Sequence, residues 1–265
     1  MRIEIFDVGH GSAALVIADN GNLVLLDCGH DDGGFRPSDY LPKNWRAVQQ
    51  LIVSHYDSDH VSDLAALRGK MPIERLMSNP TISVDEIRRL KLLEGPLRPG
   101  MAALLEMKSG FGPVVAGPDL PGISIPHFWN SYLRFQDMNN LSLVSFVKYD
   151  DFSIVFPGDI ERAGWLEMLK LPDFQQRLRE VNVFVASHHG RENGYCEEVF
   201  QFCNPDIVVI SDKGIQHDSQ EHCYDTHAKG IRFSRDGMRY VLTTRCDGHI
   251  VIDKTRGNPF IVSIR

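Results

Sequence analysis

The chain has 265 residues, of which 43% are hydrophobic and 24% are charged, a globular composition that fits one large domain. Its formal charge is −7, and the absence of a long basic run argues against tight, sequence-independent binding of nucleic acid, although a local basic groove is still allowed. No apolar run approaches the roughly 20 residues needed to span a bilayer, and no signal-peptide core follows the N-terminus. The sequence therefore predicts a cytoplasmic protein without a membrane part.

Strand-like patterns dominate the first 60 residues. Short apolar runs separated by Gly or Asn-Gly punctuation predict β-strands at 3–8, 13–17, 23–26 and 51–53. Between about 61 and 111 the spacing becomes helical, with helices predicted at 63–70, 83–94 and 99–108. Ser83, followed three residues later by Glu86, resembles a capping box at the start of the second of these helices.

Strands return after a proline-rich stretch at 113–126. Strands are predicted at 141–147, 153–156, 181–186 and Ile207–Ile210, and helices at 161–171, 174–180 and 196–203. The Asp-Gly pair at 247–248 predicts a hairpin between strands at 239–244 and 249–252, and a last strand is predicted at 260–264. Two halves of similar content indicate two sheets packed face to face with helices outside, which is a four-layer α/β sandwich.

The segment 54–60, SHYDSDH, contains two histidines and two aspartates within six residues, directly after the apolar run at 51–53. Its ligand-type residues are His55, Asp57, Asp59 and His60. Neighbouring carboxylates repel each other, and a partly buried charge needs a partner. A pair of divalent cations would remove both problems, so this loop is predicted to hold metal ions.

Further ligand-type side chains follow other predicted strands. Asp159 comes after the strand at 153–156, and His188 and His189 come after the strand at 181–186. Loops at strand ends are where α/β proteins usually place functional groups. A carboxylate at one strand end can bridge two ions, and a histidine at the next strand end can complete a site.

Taken together, these motifs resemble the metallo-β-lactamase superfamily, whose usual ligand motif is HxHxDH. They are most similar to its ComEC-type branch, in which the second histidine of that motif becomes aspartate. Six further elements occur in the family's order: DVGHGSA at 7–13, LLDCG at 25–29, NNLSLV at 139–144, GD at 158–159, HHG at 188–190 and PDIVVIS at 205–211. The resemblance implies a four-layer αββα sandwich formed by a single domain over 1–265, with a helical insertion at about 61–111.

For the first ion, the resemblance implies that His55 and Asp57 are ligands. Asn139 or Asn140 takes the place where most relatives have a third histidine. Oxygen ligands suit manganese or magnesium, whereas imidazole suits zinc. We therefore expect two divalent ions, with Mn²⁺ favoured and Zn²⁺ as the alternative.

For the second ion, the resemblance implies Asp59, His60 and one of His188 and His189 as ligands, with Asp159 bridging the two ions. His188 is favoured because it comes first after its strand. Two ions can hold a hydroxide nucleophile at neutral pH. Asp59 would orient it, so Asp59 and Asp159 are the predicted catalytic residues.

Several supporting residues are predicted around this centre. Asp27 is expected to support the ligand loop from behind, and Asp7 is a second candidate for that role, although both could instead satisfy backbone donors. Lys213 and His217 are candidates for contacting substrate oxygens. His10 stands where the branch has glutamine.

The first functional hypothesis is a phosphodiesterase or nuclease that acts on nucleic acid or a small phosphodiester. The alternatives are a hydrolase of carboxylic esters, thioesters or lactones, and a non-enzymatic interaction module stabilised by its metals. No protein partner follows from the sequence. The channel domain of the ComEC-type branch has no counterpart here, so a role in DNA uptake is not inherited.

The region from about 61 to 111, with the loop that follows, lies between the second and third ligand sets and is expected to overhang the metal cleft. The loop contains four aromatic residues, Phe128, Trp129, Tyr132 and Phe135. They could stack on a base, but packing in the core is the favoured interpretation.

Overall fold

A computed structural model of the protein describes residues 1–30, 34–111, 117–213, 219–234 and 237–265. Over these residues the first of two seven-stranded sheets contains β1 (Arg2–Ile5), β2 (Ala14–Ile17), β3 (Leu23–Leu26), β4 (Gln50–Ile52), β5 (Leu76–Met77), β15 (Ile250–Asp253) and β16 (Ile261–Ile264). The strand order is β16-β15-β1-β2-β3-β4-β5. In this sheet β3 and β4 run parallel, so both strands end at the same edge.

The second sheet is built from the middle and later parts of the chain. Its strands are β6 (Ile123–Ser124), β7 (His127–Trp129), β8 (Leu143–Tyr149), β9 (Phe152–Phe156), β10 (Val183–Val185), β11 (Ile207–Ile210) and β14 (Val241–Thr243). The order is β14-β11-β10-β9-β8-β6, and β7 also pairs with β8. A separate hairpin is formed by β12 (Ile231–Phe233) and β13 (Gly237–Arg239).

Helices cover the outer faces of both sheets. The first sheet is covered by α1 (Pro37–Asn44), α2 (Leu64–Lys70), α3 (Val84–Glu94) and α4 (Pro99–Gly110), and the second by α5 (Arg162–Met168), α6 (Pro172–Arg179) and the short α7 (Glu221–Tyr224). One further short helix, α8 (Thr244–Asp247), follows β14. Ser83 caps α3 as predicted, because its hydroxyl accepts the backbone N–H of Glu86 at 3.2 Å.

Three hydrophobic cores separate these layers. Alternation along β2 sends Leu15 to the core under α1–α4 and Val16 to the core between the two sheets. Alternation along β8 sends Val147 to that central core and Phe146 to the core under α5 and α6. The layers are therefore helix, sheet, sheet and helix, which confirms the predicted four-layer αββα fold.

The predicted hairpin at 247–248 is wrong. β14 pairs in parallel with β11 in the second sheet, whereas β15 pairs with β1 and β16 in the first. Asp247 accepts the backbone N–H of Thr243 at 2.8 Å, and Gly248 ends α8 with a φ of 70°. An Asp-Gly pair suits the end of a helical turn as well as a β-turn, and the sheet pairing decides between them.

Other boundaries differ in smaller ways. The helix predicted at 196–203 is a 3-10 turn at Glu197–Gln201, and α1, β5, β6, β7, β12 and β13 were not predicted. The division of the chain into one domain with an insertion at 61–111 stays a prediction. Within the described ranges, none of the helices has the length and hydrophobicity needed to cross a bilayer.

The aromatic residues of the 128–135 loop are largely core residues. Phe128 packs on Phe146 and Phe174, with ring centroids 5.8 Å and 5.0 Å apart. Tyr132 and Phe135 pack, partly buried, against the core under α1–α4. Trp129 is 38% exposed. Packing thus accounts for three of the four rings.

We predict that His127 makes the stability of the fold pH-dependent. Burial lowers its pKa from 6.5 to about 4, so between those values the unfolded chain binds more protons than the folded chain. The stability that the neutral His127 side chain contributes is complete above pH 6.5 and falls as the pH drops through 4, by about 3 kcal/mol in total. Urea unfolding of His127→Gln in the presence of chelator should show a smaller loss over this window than the unsubstituted protein. An identical loss in the two proteins would contradict the prediction.

Candidate metal centre

The carboxyl ends of the parallel strands bring the candidate ligands together. β3 and β4 are followed by Asp27 and by the loop 54–60, while β9 and β10 are followed by Asp159 and by the 188–189 pair. The two sheets are tied to each other at this edge, because the backbone N–H of Leu143 donates to the carbonyl of Ser54 at 2.6 Å. The site therefore lies where the ends of both sheets meet.

Hydrogen bonds to the Nδ1 atoms of His60 and His55 leave the Nε2 atom of each ring available. His60 Nδ1 donates to Asp27 Oδ2 at 2.8 Å, because an ionised carboxylate only accepts. Ser54 Oγ also donates to Asp27 Oδ2, at 2.7 Å. The lone pairs of Ser54 Oγ can therefore accept a hydrogen bond from His55 Nδ1 at 3.3 Å. The Nε2 atoms of both rings are buried and have no hydrogen-bond partner among the described residues. Such second partners are typical of metal-ligating histidines.

The geometry favours His189 over His188 as a ligand, against the preference drawn from the sequence. His189 Nδ1 donates to the carbonyl of Ser211 at 2.8 Å, and its buried Nε2 is without a hydrogen-bond partner in the described structure. His188 Nε2 instead accepts a hydrogen bond from Arg191 at 3.0 Å. Because a guanidinium only donates, the Nε2 lone pair of His188 is occupied.

Backbone strain accompanies these positions. Asp27, His188 and His189 have φ values of 59°, 51° and 55°, a left-handed conformation that non-glycine residues adopt infrequently. Strained residues of this kind cluster at functional sites, where the surrounding structure holds them in place. Trp165 helps to fix the segment that follows His188 and His189, because its buried indole N–H donates to the carbonyl of Gly194 at 3.2 Å.

Asp159 lies between the histidines. Its Oδ1 is 3.2 Å from His60 Nε2, and its Oδ2 is 3.6 Å from His55 Nε2 and 3.5 Å from His189 Nε2. The backbone N–H of Asp159 donates to Ser142 Oγ at 3.1 Å, which anchors this strand end to the start of β8. A carboxylate whose two oxygens face different imidazoles has the placement needed to bridge two ions.

The two adjacent asparagines have different surroundings. Asn140 Oδ1 accepts the backbone N–H groups of Glu161 at 3.2 Å and Gly164 at 2.9 Å, so it holds the start of α5. Asn139 Nδ2 donates to Glu161 Oε1 at 3.0 Å, while its buried Oδ1 has no partner among the described atoms. Asn139 is therefore the better candidate to offer an amide oxygen to a metal.

Among the described residues, two sets of three side chains each have their ligand atoms within 4.8 Å of one another. One set is His55, His60 and Asp159, and the other is His10, Asp59 and His189. The resemblance assigned His60 to the ion of Asp59, whereas the structure groups it with His55. The His60 ring is 4.0 Å from the His55 ring and 5.5 Å from the His189 ring. It can therefore contact an ion in either group.

The residues present fit a pair of cations. Burial alone would raise the pKa of Asp59 and Asp159, but the facing histidines lower both overall. Burial would lower the pKa of His60 and His189, but Asp159 and the other carboxylates beside them raise both. The carboxylates thus favour the protonated form of the facing imidazoles, and divalent ions can take over this pairing of charge. The Nε2 atoms of His55, His60 and His189, which have no hydrogen-bond partner among the described residues, lie 3.2–3.6 Å from the Asp159 carboxylate oxygens.

Sequence reasoning missed His10 and Arg191. His10 Nε2 lies 3.5 Å from Asp59 Oδ2, and its ring is 4.6 Å from that of His189. Arg191 donates to His10 Nε2 at 3.1 Å as well as to His188, so it links the loop after β1 to the loop after β10. The position of His10 between two glycines of the DVGHGSA motif was the available signal.

The remaining predicted residues are Asp7, Lys213 and His217. Asp7 accepts the backbone N–H of Gly9 at 3.2 Å and so closes the turn that leads to His10. Lys213 is exposed and follows β11, and its contact with substrate stays a prediction. His217 lies outside the described residues.

An open cleft of about 750 Å³ lies over the centre. One wall is formed by α3 and the start of α4, with Lys91, Leu93 and Arg98, and the other by the 136–139 segment. Asp57 and Asp59 form part of its floor. A ligand in this cleft would lie beside Asp57 and Asp59, two of the candidate metal ligands.

Comparison with known proteins supports this description. Residues 7–96 match the model of the metallo-beta-lactamase superfamily. Over these residues the chain is similar to that superfamily. The matched segment contains the DVGHGSA, LLDCG and ligand-loop motifs, so the placement of Asn139, Asp159 and His189 rests on the geometry above.

Two curated bacterial proteins are similar to this chain and confirm the ComEC-type resemblance. ComE operon protein 3 of Bacillus subtilis is 25% identical over 232 residues, and Recombination protein 2 of Haemophilus influenzae is 24% identical over 215 residues. Each alignment covers 79% of this chain but only 28% and 24% of the respective relative. The chain thus spans about a quarter of the length of these relatives.

Among solved structures, a protein from Parabacteroides distasonis that is provisionally assigned as a metal-dependent hydrolase superposes with a TM-score of 0.50. The match covers 91% of this chain and 92% of that one, at 13% identity. At this identity the likeness concerns the fold alone.

We predict that Gly29→Ala disrupts metal binding. A Cβ at this position would lie 2.2 Å from the carbonyl oxygen of Asp59 and 2.8 Å from that of Ser12, and backbone atoms cannot yield as side chains do. The ligand loop must shift, so metal affinity should fall by roughly tenfold or more. Gly69→Ala in α2, where no atom lies within 4 Å, is the matched control and should leave affinity unchanged. Metal titration followed by calorimetry measures both variants, and unaltered binding in Gly29→Ala would refute the expectation.

We predict that His189→Ala removes one bound ion, because His189 has the bare, correctly oriented Nε2. His188→Ala should retain both ions, because Arg191 occupies the Nε2 of His188. Elemental analysis after dialysis against metal gives the stoichiometry. A reversed pattern, with the loss confined to His188→Ala, would restore the preference drawn from the sequence.

Proposed function

We propose that the protein is a metal-dependent hydrolase that cleaves phosphodiester bonds, in nucleic acid or in a small phosphodiester, with two divalent ions. The observation that carries the proposal is the placement of Asp159, whose two oxygens face different imidazoles with bare Nε2 atoms. Ions bound in pairs supply Lewis-acid polarisation of a phosphoryl oxygen and a hydroxide nucleophile near neutral pH.

Different residues of the chain would bind each of the two ions. His55, Asp57 and Asn139 would hold one ion, and Asp59 and His189 the other. His60 and Asp159 lie between the two sets and would contact both regions. Asp27 fixes the orientation of His60 from behind through its hydrogen bond to Nδ1.

The donor set supports Mn²⁺ as the preferred ion. Asp57, Asp59 and Asp159 contribute carboxylate oxygens, and Asn139 contributes an amide oxygen. Hard oxygen donors suit manganese and magnesium, whereas the three imidazoles also suit zinc. We therefore propose Mn²⁺ as the activating metal and Zn²⁺ as the alternative.

The cleft supports a phosphodiester substrate. The exposed side chain of Arg98 lines it, and its guanidinium can donate hydrogen bonds to a phosphate. One curated relative is named for recombination, which is carried out on DNA. The Asp59 side chain faces the cleft and is 24% exposed, so it can orient a nucleophile against the substrate.

We predict metal-dependent cleavage that requires Asp59. Purified, metal-free protein would be reloaded with Mn²⁺, Zn²⁺ or Mg²⁺ and assayed on single- and double-stranded DNA, RNA, bis-p-nitrophenyl phosphate, carboxylic esters, thioesters and lactones. Phosphodiester cleavage should be greatest with Mn²⁺ and should fall at least about 100-fold in Asp59→Asn, which keeps the shape of the side chain but removes its charge. Asp173→Asn, on the outer helix α6, is the control and should keep full activity.

The other outcomes separate the competing functions. Cleavage of esters, thioesters or lactones without phosphodiester cleavage would replace the proposed substrate class. Absence of all cleavage, with both ions bound, would favour an interaction module stabilised by its metals. An active Asp59→Asn variant would dissociate the activity from the candidate centre.

A further inference from the structure

A buried cation lies beside one of the candidate metal ligands. The ammonium of Lys91, on α3, forms an ion pair with Asp57 Oδ1 and another with Glu94 Oε2 at 2.9 Å. The Lys91 side chain is only 7% exposed, whereas Asp57 and Glu94 are 36% and 61% exposed. A charge this buried is costly unless it is paired. Lys91 is therefore a structural component of the centre and not a solvated surface group.

The two oxygens of Asp57 face different partners. Oδ2 lies 3.6 Å from His55 Nε2, an atom with no hydrogen-bond partner among the described residues. Oδ1 is engaged by Lys91. An ion held by His55 can therefore reach Oδ2 while Lys91 retains Oδ1, and Asp57 would contribute one oxygen instead of two.

We propose that Lys91 is a positioning residue that keeps Asp57 a one-oxygen ligand and weakens the binding of the ion beside His55. The proposal rests on the metal centre of the proposed function and is independent of the substrate. An acceptor behind a ligand raises its donor strength. A cation behind a carboxylate does the opposite, because it withdraws charge from the ligand and repels the metal ion.

This arrangement gives α3 a direct part in the centre. With Asp57 restricted to one oxygen, a coordination position beside His55 stays available for a substrate oxygen. Glu94, one turn along α3, shares the charge of Lys91 and so limits the effect on Asp57. The strength with which this ion is held therefore depends on a pair of residues from the 84–94 helix.

The test is a metal titration of Lys91→Met, which preserves the length of the side chain without its charge. Metal-free protein would be titrated with Mn²⁺ and with Zn²⁺ against a competing chelator. One of the two dissociation constants should fall by roughly tenfold while the other is unchanged, and KM for a phosphodiester should rise. Lys91→Arg should restore the original constants. Arg89→Met is the control on the same helix, where the guanidinium pairs with Glu86, and it should change neither constant.

A second variant acts in the opposite direction. Glu94→Gln leaves the whole charge of Lys91 on Asp57, so the same dissociation constant should rise. Because Glu94 is largely exposed, we expect Glu94→Gln to fold. This variant therefore tests the role of Lys91 even where Lys91→Met fails to fold. Two bound ions in the unsubstituted protein with no change in either variant would overturn the inference and leave the proposed function intact. Weaker binding in Lys91→Met would also overturn it, whereas failure of the unsubstituted protein to bind divalent ions would overturn both.

Discussion

The structure is organised around a local excess of negative charge that the protein has enclosed. Asp57, Asp59 and Asp159 converge at the edge where the two sheets meet, and Asp159 is nearly fully buried. Carboxylates at such distances repel one another unless cations lie between them. The carboxylates raise the pKa values of His60 and His189, so both imidazoles can supply positive charge at this place. A pair of divalent ions would neutralise the carboxylates more completely.

The fold makes this concentration of charge possible by distributing its supports over both sheets. Asp27, after β3, orients His60 and accepts from Ser54, while Ser142, before β8, accepts the backbone N–H of Asp159. Gly29 brings its backbone against that of the ligand loop, where a side chain would collide. His60, Asp159 and His189 are thus each held by a group from another strand end, so the centre and the contact between the sheets depend on each other.

Much of the fold followed from local pattern. Apolar runs identified β3 and β11 with the same bounds as the structure, and the Ser83 cap placed the start of α3. The Asp-Gly pair at 247–248 led to a wrong hairpin prediction, because the end of a helix and a β-turn use the same residues. Only the pairing of β14 and β15 in different sheets distinguishes the two structures. Short edge strands such as β5 have too few residues to produce a periodic signal.

The sequence by itself determined the kinds of ligand, their order and their attachment to strand ends, because side-chain chemistry and short-range periodicity are local properties. Only the tertiary structure distinguishes the surroundings of His188 from those of His189, and those of Asn139 from those of Asn140. It also brings His10, Arg191 and Lys91 beside the candidate ligands. Those distinctions depend on which lone pair is already occupied, and the occupying groups come from distant parts of the chain: Arg191 reaches His10 across 181 positions and Lys91 reaches Asp57 across 34. A linear pattern specifies which atoms are present, whereas packing specifies which of them are left to bind a metal.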